Sequence, residues 1–199
     1  HPVAFSGDFR ILDNIPELGG LTAEQSEILG HMSIEHLPVD DVDENNDGAM
    51  DNTAKAIRFS GVNVQIVNGL GLTWGNPNAI GPWRNPGQHI TNGLGNLIIG
   101  YQEMRTNDGD DETADTNERH GSHNLVIGAG NNYTRWGGQV VGYRNKISGH
   151  LSSVSGGLWN EALGTYSTIG GGAQNTAEGE GCTVSGGRGN ITMLYYSTV

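Results

Sequence analysis

Apolar side chains in the second half of the chain return at a fixed interval among glycines and polar residues. Val154, Ile169 and Val184 follow one another every 15 residues, and Ala162 and Ala177 repeat at the same interval. A short period of this kind is typical of stacked coils, each too small to bury a core alone. The pattern therefore predicts an all-β fold, a parallel β-solenoid or β-roll with coils of about 15 residues.

The two sets of apolar residues are expected to form columns that point into the solenoid and stack along its axis. Burial of such columns stabilises a fold by about 25 cal/mol per Å² of apolar surface. Counting back from Val154, the first column continues through Val141 and then through Val126 or Ile127. Ala162 and Ala177 form the second column.

An asparagine recurs in each repeat, at positions 145, 160, 175 and 190. We expect these side chains to form a ladder that caps backbone amides at a turn. Glycine pairs shortly before the asparagines permit backbone conformations that a Cβ would forbid. The residues directly before each asparagine vary, so they are expected to face outwards.

Three segments are predicted: residues 1–56 are an N-terminal segment with a short helix and an acidic loop, 57–123 are irregular coils, and 124–199 are the regular solenoid. The irregular coils are inferred because the sequences at 96–100 and 124–128 match at a distance of 28 residues, or two coils of about 14. Two insertions interrupt these coils, at residues 72–88 and 105–118.

The N-terminal segment carries one clear helix signal. Thr22 and Gln25 form a capping box at the start of a short helix, and Gly30 is a plausible end to it. Residues 38–56 are polar and acidic and are interpreted as a loop. Alternating apolar residues over 56–67 predict one or two strands.

The acidic net charge of the chain limits the kinds of molecule that it is expected to bind. The chain has 22 acidic and 10 basic residues, a net charge of −12, and most of the acidity lies in residues 1–56. Without a basic stripe the chain is not expected to bind nucleic acid. No apolar run is long enough for a transmembrane segment. The single cysteine, Cys182, occupies a position that is serine in neighbouring repeats, which indicates a small packing residue.

One acidic stretch resembles a calcium loop. Asp43, Asn45, Asp47 and Asp51 stand at positions 1, 3, 5 and 9, with glycine at position 6, but Ala54 replaces the glutamate expected at position 12. The alternative is a solvated acidic linker. No cofactor is required by the sequence, and calcium is the one ion it suggests.

Four tryptophans are candidate binding or interface residues. Trp136 and Trp159 stand in variable, outward columns, and Trp74 and Trp83 belong to the first insertion. Aromatic faces of this kind stack on sugar rings or become buried between protein chains. The sequence carries no nucleophile–base pair, glycosidase-like carboxylate dyad or phosphate-binding loop, so we do not expect an enzyme.

The repeat frame Ala-x-Gly-x-x-Ser-x-Val/Ile-x-Gly-Gly-x-x-Asn-x-Ala resembles the head repeats of trimeric autotransporter adhesins. These are bacterial surface proteins whose heads are left-handed parallel β-rolls. Residues 18–128 also look like a type of exported bacterial protein of uncharacterised function. These resemblances imply export to the bacterial surface or beyond it, and the first implies a homotrimer.

We therefore expect a structural protein, a surface rod or filament that assembles with itself and has an adhesive role. The last repeat stops in mid-coil, so end-to-end assembly is the alternative to a trimer. A second hypothesis is a glycan-binding adhesin module that uses Trp74 and Trp83. A third is an ice-binding solenoid, because Thr168, Thr183 and Thr198 fall in one column with Ser153.

Overall fold

The computed structural model describes residues 22–42, 51–76, 88–105 and 117–199. The chain forms two compact units, His1–Gln65 and Ile66–Val199. The described residues are mostly β, with one short helix in the first unit and a parallel β-solenoid in the second. In these described ranges, no helix is long and apolar enough to cross a membrane.

Helix α1 (Ala23–Gly30) confirms the predicted capping box. The Gln25 amide donates to Thr22 Oγ1 at 3.2 Å, and the Thr22 amide donates back to Gln25 Oε1 at 2.9 Å. The helix ends at Gly30, where His31 caps it by donating its backbone N–H to the Ile28 carbonyl oxygen at 3.2 Å. None of its residues is buried, so burial of apolar side chains contributes little to the stability of this helix.

The first unit continues as an antiparallel hairpin of β1 (Met32–Val42) and β2 (Asp51–Phe59). The prediction of a loop over 38–56 is therefore wrong for residues 38–42 and 51–56. The strand predicted over 56–67 is confirmed only as far as Phe59. These strands form through backbone pairing with each other, in spite of their polar sequence. The pattern of apolar and polar residues in one segment does not show that a second segment pairs with it.

The described part of the second unit forms a solenoid with two parallel sheets, which confirms the predicted fold class. The larger sheet contains β3 (Leu97–Ile99), β4 (Leu125–Ala129), β6 (Gln139–Tyr143), β8 (Ser153–Val154), β10 (Thr168–Ile169) and β12 (Thr183–Val184). The smaller sheet contains β5 (Asn132–Tyr133), β7 (Lys146–Ile147), β9 (Glu161–Ala162), β11 (Thr176–Ala177) and β13 (Ile191–Thr192).

Coil length changes along the axis. Leu125 pairs with Gln139, a step of 14 residues, whereas Thr168 pairs with Thr183, a step of 15. The extra residue enters after Val154, where Ser-Gly-Gly stands in place of the Val-Gly that follows Val140. It shortens the strands of the larger sheet from five residues to two.

This change corrects one column of the predicted core. Val140, not Val141, points inwards, because it pairs with Val154 across a 14-residue step. Of the two alternatives further back, Val126 is buried and Ile127 is only half-buried. The predicted inward positions of the other core residues are confirmed: Val154, Ile169, Val184, Ala162 and Ala177 are all fully buried.

The asparagine ladder is confirmed and begins one coil earlier than predicted, at Asn131. The Oδ1 atom of each member accepts the backbone N–H of the next, at 2.8–3.1 Å. The Nδ2 atom of Asn145 donates to the Gly157 carbonyl oxygen of the following coil at 2.9 Å. The ladder therefore satisfies backbone groups at one corner of the solenoid that the short strands leave unpaired.

Apart from the glycine pair, each regular coil has two further left-handed backbone positions. One lies directly before the ladder asparagine, as at Trp159 (φ 57°), and the other lies at the second corner, as at Tyr166 (φ 61°). The prediction that residues before the asparagines face outwards holds for Gln174 and Arg188 but not for Arg144, which is 4% exposed.

Candidate functional site

Four rings converge on one corner of the solenoid, and we call them the indole–imidazole cluster: Trp74, His89, Trp136 and His150. The ring centroids of His89 and His150 lie 4.7 Å apart, and each lies 5.5 Å from the centroid of Trp136. Trp74 packs on Trp136 at 6.4 Å. The cluster therefore places several buried ring nitrogen atoms next to the apolar faces of two indole rings.

Two elements supply the rings. Trp136 and His150 occupy equivalent corner positions in successive coils, and the Leu151 amide donates to the Trp136 carbonyl oxygen at 3.1 Å. Trp74 lies near the start of the first insertion, and His89 directly follows its end. Its base is closed by the Ile90 amide, which donates to the Trp74 carbonyl oxygen at 3.1 Å. The cluster thus joins the insertion to the coil wall.

A hydrogen bond fixes the protonation of one imidazole. Trp136 Nε1, which can only donate, lies 3.0 Å from His89 Nδ1. His89 Nδ1 must therefore be the acceptor, and the proton of the neutral ring sits on Nε2. Burial lowers the pKa of His89, with Arg135 lowering it further.

His150 is the more strongly perturbed of the two histidines. Burial lowers its pKa to about 4, and the nearby His89 and Arg135 add to this effect. Its side chain is 8% exposed, and its Nδ1 atom has no hydrogen-bond partner. Trp74 Nε1 and His89 Nε2 are also buried without a partner. The cluster therefore stays uncharged at neutral pH.

A second corner is organised by two arginines. Arg105 donates from Nε to the Gly130 carbonyl oxygen at 2.7 Å and from Nη2 to the Arg144 and Asn145 carbonyl oxygens. The Arg144 guanidinium lies 4.8 Å from the ring centroid of Trp159. Arg105 is the first residue of the second insertion, so its hydrogen bonds to the coil corner fix that end of the insertion.

The other end of the second insertion is fixed in a similar way. Glu118 Oε2 lies 2.7 Å from Lys146 Nζ, and the Glu118 carbonyl oxygen accepts from the Tyr133 amide at 2.9 Å. Arg119 donates to the Asn131 carbonyl oxygen at 3.2 Å and to the Gln102 and Glu103 carbonyl oxygens. Both ends of the insertion therefore pack on the same coils.

The outer face of the larger sheet changes in character along the axis. Leu97 and Leu125 stand in register with Gln139, and the same column continues as Ser153, Thr168, Thr183 and Thr198. The Ser153 and Thr168 hydroxyl groups lie 3.4 Å apart. One half of this face is therefore aliphatic and the other carries a regular row of hydroxyl groups.

The structure places the predicted tryptophans differently from one another. The expectation that Trp136 is exposed is wrong, since it is 5% exposed within the cluster. Trp159 is half-buried beneath Arg144, and Trp74 is half-buried against Trp136. Trp83 lies outside the described residues. A role for these four residues in binding or at an interface stays a prediction.

The predicted calcium ligands Asp43, Asn45 and Asp47 also lie outside the described residues. Asp51 is the first residue of β2, and its backbone pairs with Val42 at the end of β1. Among the described residues, no group of three or more histidine, cysteine, aspartate or glutamate side chains could hold a metal ion. Calcium binding stays a prediction.

Sequence reasoning missed His89, His150, Arg105 and Arg144. One signal was available: His150 follows Trp136 by 14 residues, the length of one early coil. That spacing places the two side chains at the same corner. No periodic signal indicates His89 or Arg105, because they flank insertions that interrupt the repeat.

No protein-family model matches the chain, and no curated protein is significantly similar to it.

Proposed function

We propose that this chain is a structural protein of the bacterial cell surface, which assembles with itself into a rod or filament and has an adhesive role. The observation that carries the proposal is the aliphatic half of the larger sheet. Leu97 and Ile99 of β3 are 49% and 53% exposed, and they adjoin the outward, half-buried Leu125 and Ile127. A contiguous apolar patch on a sheet face is characteristic of an interface.

Other features support a display role. The coils are joined by sheets and by the buried asparagine ladder, which favours a rigid rod. The insertions are held to the coils at both ends, as a rod that presents loops requires. The surface location follows from the resemblance of the repeat frame to adhesin heads. A homotrimer is favoured for the same reason, and end-to-end assembly is the alternative.

Native mass measurement and negative-stain imaging of the purified chain test this proposal. We expect a mass of several chains and elongated particles. The double substitution Leu97→Ser and Ile99→Ser should reduce the mass to that of one chain. A matched control, Thr168→Ser in the hydroxyl half of the same face, should leave the assembly unchanged. A wild-type chain that stays a monomer at high concentration contradicts the proposal.

A second candidate function is ice binding, favoured by the row of Ser153, Thr168, Thr183 and Thr198. Successive strands in a sheet lie about 4.8 Å apart, so the row presents hydroxyl groups at a regular spacing. A thermal-hysteresis assay tests it. Activity that is lost in Thr168→Leu and Thr183→Leu variants that still fold supports this candidate. An inactive wild type removes it.

A further inference from the structure

We propose that the indole–imidazole cluster is an acid-sensitive latch, which holds the base of the first insertion against the coil wall while His89 and His150 are neutral and releases it when they are protonated. The base consists of residues 74–76 and 88–90. The inference concerns the insertion alone and does not depend on the proposed function.

The first argument is the direction of the Trp136–His89 hydrogen bond. The indole Nε1–H donates to His89 Nδ1 at 3.0 Å, so the lone pair on that nitrogen is in use. Protonation of His89 places a hydrogen on Nδ1, and two donors then face each other. The bond that joins the insertion to the coil is therefore incompatible with a charged His89.

The second argument is the proximity of further positive charge. His150 lies 4.7 Å from His89 between ring centroids, and both lie close enough to Arg135 to be affected by its charge. Protonation of both rings would place two cations in contact beside a third, with His150 almost fully buried. Like charges in a poorly solvated site repel strongly. Separation of the insertion from the coil relieves this repulsion.

A third histidine, His123, makes a hydrogen bond beside the same base that does not use a nitrogen lone pair. His123 Nδ1 lies 2.9 Å from the Thr73 carbonyl oxygen, which can only accept. His123 Nδ1 is therefore the donor in this bond, whereas His89 Nδ1 is the acceptor in its bond to Trp136. Of the contacts described at the base, those of His89 and His150 are the ones that acid opposes.

Amide hydrogen exchange of Ile90, corrected for the intrinsic pH dependence, measures the latch, because that amide donates to the Trp74 carbonyl oxygen. In the wild-type chain, protection of Ile90 should fall as the pH is lowered from 7 to 4, by up to about tenfold per pH unit for each proton taken up on opening. The Trp136 indole N–H resonance should shift over the same range. Protection that persists to pH 4 overturns the proposal.

The double variant His89→Asn and His150→Asn tests the cause. The side-chain oxygen of an asparagine can accept the indole hydrogen bond in place of an imidazole Nδ1 atom, and the asparagine amide does not titrate. We expect Ile90 protection in this variant to change less than about twofold where the wild type follows the linkage slope. The control His31→Asn, in the first unit, should behave as wild type. Equal acid sensitivity in the double variant overturns the proposal, and if that variant does not fold, the wild-type indole titration decides.

Discussion

Asn160 Oδ1 accepts hydrogen bonds from both the backbone N–H and the side-chain Nδ2 of Asn175, one coil further along the chain, at 3.1 and 3.0 Å. Asn160 Nδ2 donates to the carbonyl oxygens of Gly156 and Gly172 at 3.2 and 3.0 Å. The side chain is fully buried. Both ends of one amide are therefore used, and a side chain that lacks the oxygen leaves the buried Asn175 N–H without this partner.

Replacement of Asn160 by alanine should lower the free energy of unfolding by about 2–4 kcal/mol, because each buried group left without a partner costs about 1–3 kcal/mol. Asn160→Asp keeps the acceptor but turns a carboxylate towards two carbonyl oxygens, so it should not rescue stability. Denaturant titration measures both. The control is Asn190→Ala at the partly exposed end of the ladder, and equal losses at Asn160 and Asn190 would contradict this account.

The adjacent glycines Gly156 and Gly157 are expected to differ in their tolerance of an alanine substitution. Gly157 has φ +83°, and a Cβ there would lie 1.9 Å from the Gly172 carbonyl oxygen of the next coil. A Cβ on Gly156 would meet nothing within 4 Å. Gly157→Ala should therefore destabilise the solenoid by several kcal/mol or prevent its folding, since the clash is with backbone and the φ is unfavourable.

Gly156→Ala is the matched control and should be neutral or stabilising by about 0.4–1 kcal/mol, through loss of conformational freedom in the unfolded chain. Thermal unfolding of the two variants separates them. If both are tolerated, the close approach of successive coils at Gly157 is not present in solution.

These glycines show how far the sequence determines the fold. The period of 15 and the glycine pair predict stacked coils and a tight corner, and both are found. The sequence does not show which glycine of the pair is indispensable, because that depends on a carbonyl oxygen in the next coil. Val141 is a related case: two valines stand side by side, and only the pairing of Val140 with Val154 in the next coil shows which of them points inwards.

The inward column makes a prediction about packing. Ile169 is fully buried between Val154 and Val184, and its replacement by alanine should lower the free energy of unfolding by about 2–5 kcal/mol. Val141→Ala is the control, because Val141 is half-buried on the outer face and should lose less than about 1 kcal/mol. Denaturant titration at fixed pH compares them. A larger loss of unfolding free energy in Val141→Ala than in Ile169→Ala would indicate that Val141 is buried in the core.

The candidate site was less predictable than the fold. The sequence shows Trp136 as an aromatic residue in a variable column, but the indole packs against His89, which lies 47 residues earlier and directly after the first insertion. The partners of an insertion cannot be obtained from a repeat that the insertion interrupts. Periodicity identifies which side chains share a corner of the rod, and it does not identify what an inserted segment places there.

The lowered pKa of His150 gives stability a defined pH dependence. In the unfolded chain the pKa is close to 6.5, and in the folded chain it is about 4. As the pH falls, the unfolded state takes up the proton first, so the stabilising contribution of neutral His150 is complete above pH 6.5 and is lost towards pH 4. The slope should approach about 1.4 kcal/mol per pH unit.

Carboxylates also contribute to acid destabilisation, so the informative quantity is the difference between wild type and His150→Phe, which keeps an aromatic ring and does not titrate. Denaturant titrations at pH 7, 6 and 5 should give plots of unfolding free energy against pH in which the wild-type curve falls more steeply than that of His150→Phe. Parallel curves would mean that His150 has an ordinary pKa in the folded chain.

The single thiol reports on the last coils. Cys182 is fully buried, and its Sγ atom donates to the Leu194 carbonyl oxygen at 2.7 Å. A thiol without access to solvent reacts slowly, so a thiol-specific reagent should modify the native chain far more slowly than the chain in denaturant. Rapid modification of the native thiol would show that residues 191–199 open readily.

Substitution of the same thiol tests whether the repeat positions are equivalent. Serine occupies the column of Cys182 at Ser167 and Ser197, and the Ser197 hydroxyl donates to the same Leu194 oxygen. Cys182→Ser should therefore change the free energy of unfolding by less than about 1 kcal/mol in a denaturant titration. A large loss of unfolding free energy in Cys182→Ser would contradict the equivalence of these positions. It would mean that the larger sulfur atom is needed for packing at position 182, whereas a hydroxyl group is enough in the neighbouring coils.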